Sequence, residues 1–262
     1  MTNFIYLLGP AGCGKSTLAA ALSEDFESHG LRCPIMNLDP GAEWLPYTPE
    51  IDIRPQISLS QVMKEYRLGP NGALIVAVDL VVNELPRIGE TIAAQNPDYV
   101  IVDTPGQMEL FAFRETGPAV VGGLSPRGDS IVLFLIDSFL AKRASSFVSM
   151  LMLATSVLAR FRTPQINLLT KIDAVGREDR ERAVSWADRR DLLLDAIEEE
   201  PSPLGREAAL GLLEAVEKVS FAGELMPVSA ADHRGITELV SAIQAVFGKE
   251  GELDLGEETE KF

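Results

Sequence analysis

The chain has 262 residues, enough for one large α/β domain or two small ones with a sizeable core. Hydrophobic residues make up 46% and charged residues 24%, as in soluble globular proteins, and 23 basic against 39 acidic residues give a net charge of −16. So acidic a surface repels phosphate backbones and argues against direct nucleic-acid binding, although backbone N–H groups can still hold a small anion. Cys13 and Cys33 are the only cysteines and show neither disulfide nor metal spacing, which fits a cytoplasmic protein. The opening "MTNFIYLLGP" lacks a basic stretch and does not read as a leader. No apolar run reaches the ~20 residues that a bilayer span needs, so no membrane partner is expected.

In chain order, Phe4–Leu8 reads as a strand, Lys15–His29 as a helix and Pro34–Asn37 as a short strand. Helices follow over Ser58–Tyr66 and Ala73–Asn96, the second despite the β-branched cluster "LIVAVDLVV". Between them Gly69-Pro70-Asn71 reads, taken alone, as an ordinary surface turn. Tyr99–Asp103 is a strand and Ile131–Asp137 a buried one, followed by a helix from about Ala141 to Arg160. Gln165–Thr170 is a strand. Residues 177–217 form a charged helical insertion broken at "PSPLG" (201–205), and Leu225–Ser229 and Thr237–Phe247 give a last strand and helix. Residues 249–262 read as a flexible acidic tail behind a single domain over 1–248. Alternating strands and helices predict an α/β fold of three layers, with a mostly parallel sheet covered on both faces.

"GPAGCGKST" (9–17) sits between a predicted strand and helix and fits the phosphate-binding P-loop pattern. Gly9, Gly12 and Gly14 let successive N–H groups turn toward phosphate oxygens, with Cys13 as a spacer in the nucleotide-contacting run that Thr17 closes. Lys15 would reach the β- and γ-phosphates, and the Ser16 hydroxyl would ligate Mg²⁺. In "PDYVIVDTPGQME" (97–109) an apolar strand ends in Asp103, placed to hold the Mg²⁺ shell through water. The Gly106 N–H can approach a γ-phosphate, and Gln107 or Glu109 can orient the attacking water.

"INLLTKIDA" (166–174) ends a strand in T-K-x-D. Asp173 can accept from both N1–H and the N2 amine of guanine, a donor pair that adenine lacks. The Lys171 stem can cover the purine face, and Thr170 stands where most GTPases carry Asn. In "MPVSAAD" (226–232) the Ala230 N–H, next to Ser229, can donate to guanine O6.

With these motifs in place, the chain resembles the GPN-loop GTPases, an archaeal and eukaryotic family of P-loop NTPases. The resemblance is carried by "GPAGCGKST", "NLDPGAEWLPY" (37–47), "GPNGAL" (69–74), "DTPGQMELF" (103–111), "LLTKIDAV" (168–175) and "PVSAAD" (227–232), spanning residues 9 to 232. It implies a homodimer that hydrolyses GTP to GDP and phosphate, in which Asn71 acts on the partner's nucleotide. It also implies that Asp39 lies near Mg²⁺ and the attacking water. The cellular role it implies is assembly of a protein complex such as RNA polymerase, with a client protein as further partner. Neither Arg54 nor Arg114 has the spacing of an arginine finger.

The apolar helix "SSFVSMLMLATSVLARF" (145–161) reads as core or dimer interface, with a client groove around Met150 and Met152 as the alternative. A P-loop fold also suits a small-molecule kinase, for which the 177–217 insertion would be the lid, or a dimeric ATPase. Such ATPases usually carry a second lysine early in the loop, where this chain reads "GPAG".

Overall fold

The computed structural model describes residues 2–126, 129–219 and 225–254. Seven strands form one sheet: β1 (Asn3–Leu8), β2 (Ile35–Asn37), β3 (Ile51–Asp52), β4 (Tyr99–Asp103), β5 (Ser130–Asp137), β6 (Gln165–Thr170) and β7 (Leu225–Pro227). Their order is β3-β2-β4-β1-β5-β6-β7, and every pairing between them is parallel. The chain therefore builds outward from β1 on both sides. The C-terminal ends of β1, β4 and β5 flank the reversal point, where open α/β sheets bind ligands.

The helices are α1 (Lys15–Ser28), α2 (Leu59–Glu65), α3 (Pro70–Gln95), α4 (Met108–Ala112), α5 (Thr116–Leu124), α6 (Ala144–Phe161), α7 (Arg177–Asp188), α8 (Arg190–Glu198), α9 (Pro203–Lys218) and α10 (Ile236–Asp254). Alternation along β1 divides them between two layers. Ile5 and Leu7 face the cluster built by Leu18, Leu22 and Phe26 of α1 with Leu239 and Ile243 of α10. Phe4, Tyr6 and Leu8 face the larger cluster, which holds the apolar stripes of α3, α5, α6 and the insertion helices. Both faces are covered, so the middles of the central strands carry buried apolar residues on both sides, with polar residues such as Asn3, Ser130 and Asp103 at their ends.

α6 is a core helix: Phe147, Val148, Leu151, Ala154 and Val157 are buried, and Met150 and Met152 pack partly buried against the same cluster. The insertion closes over it, with Trp186 of α7 placing its ring 5.9 Å from that of Phe147. The break predicted at "PSPLG" (201–205) falls slightly earlier, at 199–202, and Pro203, Leu204 and Gly205 already form the first turn of α9, which Ser202 caps through its hydroxyl. A second break at Arg189, which adopts an extended backbone, separates α7 from α8 without Gly or Pro. α10 continues to Asp254, six residues into the span read as a tail, because extending a formed helix costs little per residue. The rest of that tail, 255–262, lies outside the described residues.

Candidate active site

β1 ends at Leu8 and the chain turns into α1 through Gly9, whose φ of 150° favours glycine. A Cβ on Gly9 would stand 2.7 Å from the carbonyl oxygen of Leu135, so the loop reaches β5 only as glycine. Gly14 caps α1 at φ 101° with no side-chain cap, and the first i→i−4 bond of the helix runs from Leu18 N–H to the Gly14 carbonyl. The amides of Lys15, Ser16 and Thr17 precede that bond, and no acidic residue occupies the first turn. They open into a cavity of about 480 Å³ that also meets Asp39, Asp103 and Gly106. A helix N-terminus with glycines ahead of it is built for anionic oxygen.

Lys15 is only 6% exposed, and its Nζ donates to the carbonyls of Gly9 (2.9 Å), Pro10 (3.3 Å) and Gly106 (3.4 Å). The Gly106 N–H donates to Asp39 Oδ2 at 2.9 Å, while Asp39 Oδ1 accepts from Gly41 N–H at 2.8 Å. Lys15 and Asp39 thus tie the loop after β4 to the P-loop and to the loop after β2.

Asp103 ends β4 and is buried. Its Oδ2 accepts from the Tyr47 hydroxyl at 2.7 Å, and its Oδ1 is buried without a hydrogen-bond partner among the described residues. Burial raises this carboxyl above its ordinary value; the Ser16 and Tyr47 hydroxyls and Lys15 oppose that rise without cancelling it. Tyr47 is itself held protonated, by burial and then by the facing Asp103 charge.

A second cavity, of about 230 Å³, adjoins the first and shares Gly14, Thr17 and Lys171 with it. Asp173, Thr170, Cys13 and Ala230 line it. Ser229, fully buried, donates through Oγ to Asp173 Oδ1 at 2.6 Å and fixes that carboxylate. Lys171 takes a left-handed backbone (φ 57°), and its Nζ bonds to Asp137 Oδ2 at 2.8 Å and to the Gly12 carbonyl. Thr170 Oγ1 donates to the Cys13 carbonyl at 2.8 Å, so this threonine ties the P-loop to β6. Burial raises the Cys13 thiol, which keeps it protonated and unreactive, in keeping with a spacer.

The two cavities gather Gly12, Cys13, Gly14, Lys15, Ser16, Thr17, Asp39, Asp103, Gly106, Thr170, Lys171, Asp173 and Ala230, with Ser229 behind Asp173. Three expected residues lie outside them. Gln107 caps α4 and Glu109 sits in its first turn, both exposed. Asn71 is exposed in the first turn of α3, behind Gly69 at the cap and Pro70 at the first helical position. That turn packs near the Asp39 loop, since a Cβ on Gly41 would come within 3.0 Å of Leu74. Neither arginine is free to act as a finger: Arg114 is forked on Asp79, and Arg54 on Asp52 and the Ala42 carbonyl. Sequence reading passed over Tyr47 and Asp137. Tyr47 stood inside a quoted motif, but its partner is 56 residues away.

A P-loop cavity joined to a second, smaller one at the C-terminal ends of a parallel sheet defines a nucleotide-binding protein of the P-loop class. A family described as conserved hypothetical ATP binding protein matches residues 7–249. GPN-loop GTPase 3 of Kluyveromyces lactis is 34% identical over 92% of this chain and 90% of its own. GPN-loop GTPase 3 of Mycosarcoma maydis is 30% identical over 91% and 89%. The crystal structure of an apo-form GTPase from Pyrococcus abyssi superposes with a TM-score of 0.80 at 27% identity, covering 93% of this chain and 96% of that one. The chain belongs to the GPN-loop GTPase family, and it is a GTPase.

Proposed function

We propose that the protein is a homodimeric, Mg²⁺-dependent switch that hydrolyses GTP to GDP and phosphate, each site being completed by Asn71 of the partner subunit. The observation that carries the reading is the pair of joined cavities, one lined with phosphate donors and one with a fixed carboxylate for the base. Asp173, braced by Ser229, accepts from the two adjacent donors of guanine; adenine would leave that carboxylate unpaired.

In the first cavity Lys15 and the Gly106 N–H bind the γ-phosphate oxygens and stabilise charge as it develops. Asp39 lines the same cavity, whereas Gln107 and Glu109 are exposed outside its lining, so Asp39 is the residue that orients water and takes its proton. The buried, unpartnered Oδ1 of Asp103 beside the Ser16 hydroxyl fits a hard divalent cation. Among the described residues no cluster of three His, Cys, Asp or Glu forms a self-sufficient cage, which suits a cation that shares its shell with phosphates and water. Ser16 and Asp103 would hold Mg²⁺, with Asp39 nearby, and Mg²⁺ would supply charge neutralisation at the β- and γ-phosphates.

The exposed Asn71 amide forms no hydrogen bond within the chain among the described residues, and it offers both a donor and an acceptor to a partner's phosphate side. Neither Arg54 nor Arg114 is free for that task, which favours a group supplied in trans. The cytoplasmic role we assign, assembly of a client complex such as RNA polymerase, rests on the family resemblance.

The test is turnover of GTP and ATP side by side with Mg²⁺, using Asp173→Asn as control. Preference for GTP, lost in the variant, supports the base reading. Equal or better use of ATP overturns it.

A further inference from the structure

Asp39 is held from behind by three residues that touch neither cavity. Asn37 ends β2 and is fully buried. Its Oδ1 accepts the Asp39 N–H at 3.0 Å, and its Nδ2 donates to the Asp39 carbonyl at 3.3 Å and to Asp52 Oδ1 at 3.0 Å. Asp52 lies on β3, next to Asn37 in register. Arg54 then locks Asp52 from the far side: Nε donates to both carboxylate oxygens at 3.0 Å and Nη2 to Oδ2 at 2.7 Å. The remaining arm, Nη1, donates to the Ala42 carbonyl at 3.0 Å, on the same loop as Asp39.

We propose that Arg54, through Asp52 and Asn37, is the positioning residue for Asp39, and that this side-chain relay sets the geometry of the hydrolytic step rather than nucleotide affinity. The inference rests on the reading of Asp39 as the water-orienting residue.

Three physical points carry it. Every Arg54 nitrogen is engaged by protein, so the guanidinium is a strut and not a phosphate ligand. The strut grips the Asp39 loop at two places: at residue 39 through the Asn37 side chain and at residue 42 directly. The planar fork of arginine meets a carboxylate and a carbonyl at fixed angles, which the single ammonium of lysine does not reproduce. Burial pushes the Asp52 carboxyl up, but the hydrogen bonds from Arg54 and Asn37 outweigh it and hold the group below its ordinary value, so the pair stays charged at neutral pH. A carboxylate that must orient one water tolerates little misplacement, and losing an outer support of this kind typically costs about 10–100-fold in activity.

The experiment compares Arg54→Ala, Arg54→Lys and Asp52→Asn, alone and combined with Asp39→Ala, in the full-length protein. Single-turnover GTP hydrolysis, GDP affinity and Tm are read for each. The expected result is a roughly 10–100-fold fall in kcat for Arg54→Ala and Asp52→Asn, with GDP affinity within about twofold of wild type. Arg54→Lys recovers only a small part of the loss. In the Asp39→Ala background Arg54→Ala adds less than about twofold, because the support acts on a group already gone. Costs that add in full in that background overturn the relay, as does a fall in GDP affinity equal to the fall in kcat. Should Arg54→Ala fail to fold, Arg54→Lys decides: wild-type kcat in that variant overturns the proposal. If Asp39→Ala itself hydrolyses GTP at the wild-type rate, it is the reading of Asp39 that fails.

Discussion

The backbone N–H of Gly106 donates to Oδ2 of Asp39 across 2.9 Å, bridging two loops that are 67 residues apart in sequence. A γ-phosphate oxygen taking that N–H would displace the carboxylate, so binding of GTP and rearrangement of Asp39 are one event. GDP makes no such demand. Asp39→Ala is therefore expected to lower kcat by about a hundredfold or more while leaving GDP affinity within about twofold. Single-turnover hydrolysis and calorimetric GDP titration check this, and near-wild-type kcat contradicts it.

Asp103 gives a pH dependence with a definite sign. Its folded carboxyl lies above the ordinary value, so between the unfolded and folded values the folded state binds more protons. This group's contribution to the stability of the ligand-free protein is then fully present below the unfolded value and is lost as pH rises through the folded one. Asp103→Asn removes the buried charge. It is expected to raise Tm at neutral pH, flatten this part of the pH profile and abolish Mg²⁺-dependent hydrolysis. At about 2–4 °C per kcal/mol for a chain of this size, thermal melts from pH 4.5 to 7.5 resolve the change. A lowered Tm at neutral pH contradicts the account.

The helical insertion is built into the core on the α6 side. Phe147 of α6 is fully buried, and its ring lies 5.9 Å from that of Trp186 in α7. Phe147→Ala removes a large buried ring and should cost about 3–5 kcal/mol, read as a Tm drop of roughly 6–20 °C. A smaller loss, with the insertion then digested selectively by protease, would show that α7 is only loosely docked.

Much of the fold was legible because its signals are local. β1, the glycines of the P-loop and the opening of α1 follow one another in a single stretch, and Ile131–Ile136 of β5 is an unbroken apolar run. The β-branched cluster inside α3 did not hide that helix, since Pro70 opens it and Asn96, left-handed at φ 44°, closes it. β3 was not seen because it is two residues long. α4 and α5 were not seen because "TGPAVVGGL" reads as turn material and becomes helical only by packing on α3 and α6. In the site, Asp103, Lys15 and Asp173 declare themselves by position at strand ends. Arg54 does not, because what gives it meaning is hydrogen bonding to Asp52, Ala42 and, beyond them, Asn37. The role of Asn71 comes from the GPN resemblance alone, since Gly-Pro-Asn is also an ordinary turn or helix start.

If the partner's Asn71 completes each site, mixing two inactive variants restores activity. Asn71→Ala keeps a working P-loop but supplies no amide, whereas Lys15→Ala supplies the amide but lacks the phosphate-binding ammonium. Each homodimer should hydrolyse GTP poorly. Co-refolded in equal amounts, half of the dimers are mixed, and each mixed dimer has one complete site, so about a quarter of the wild-type rate should return. No recovery, with mixed dimers shown to form, would mean that Asn71 acts within its own chain or not at all.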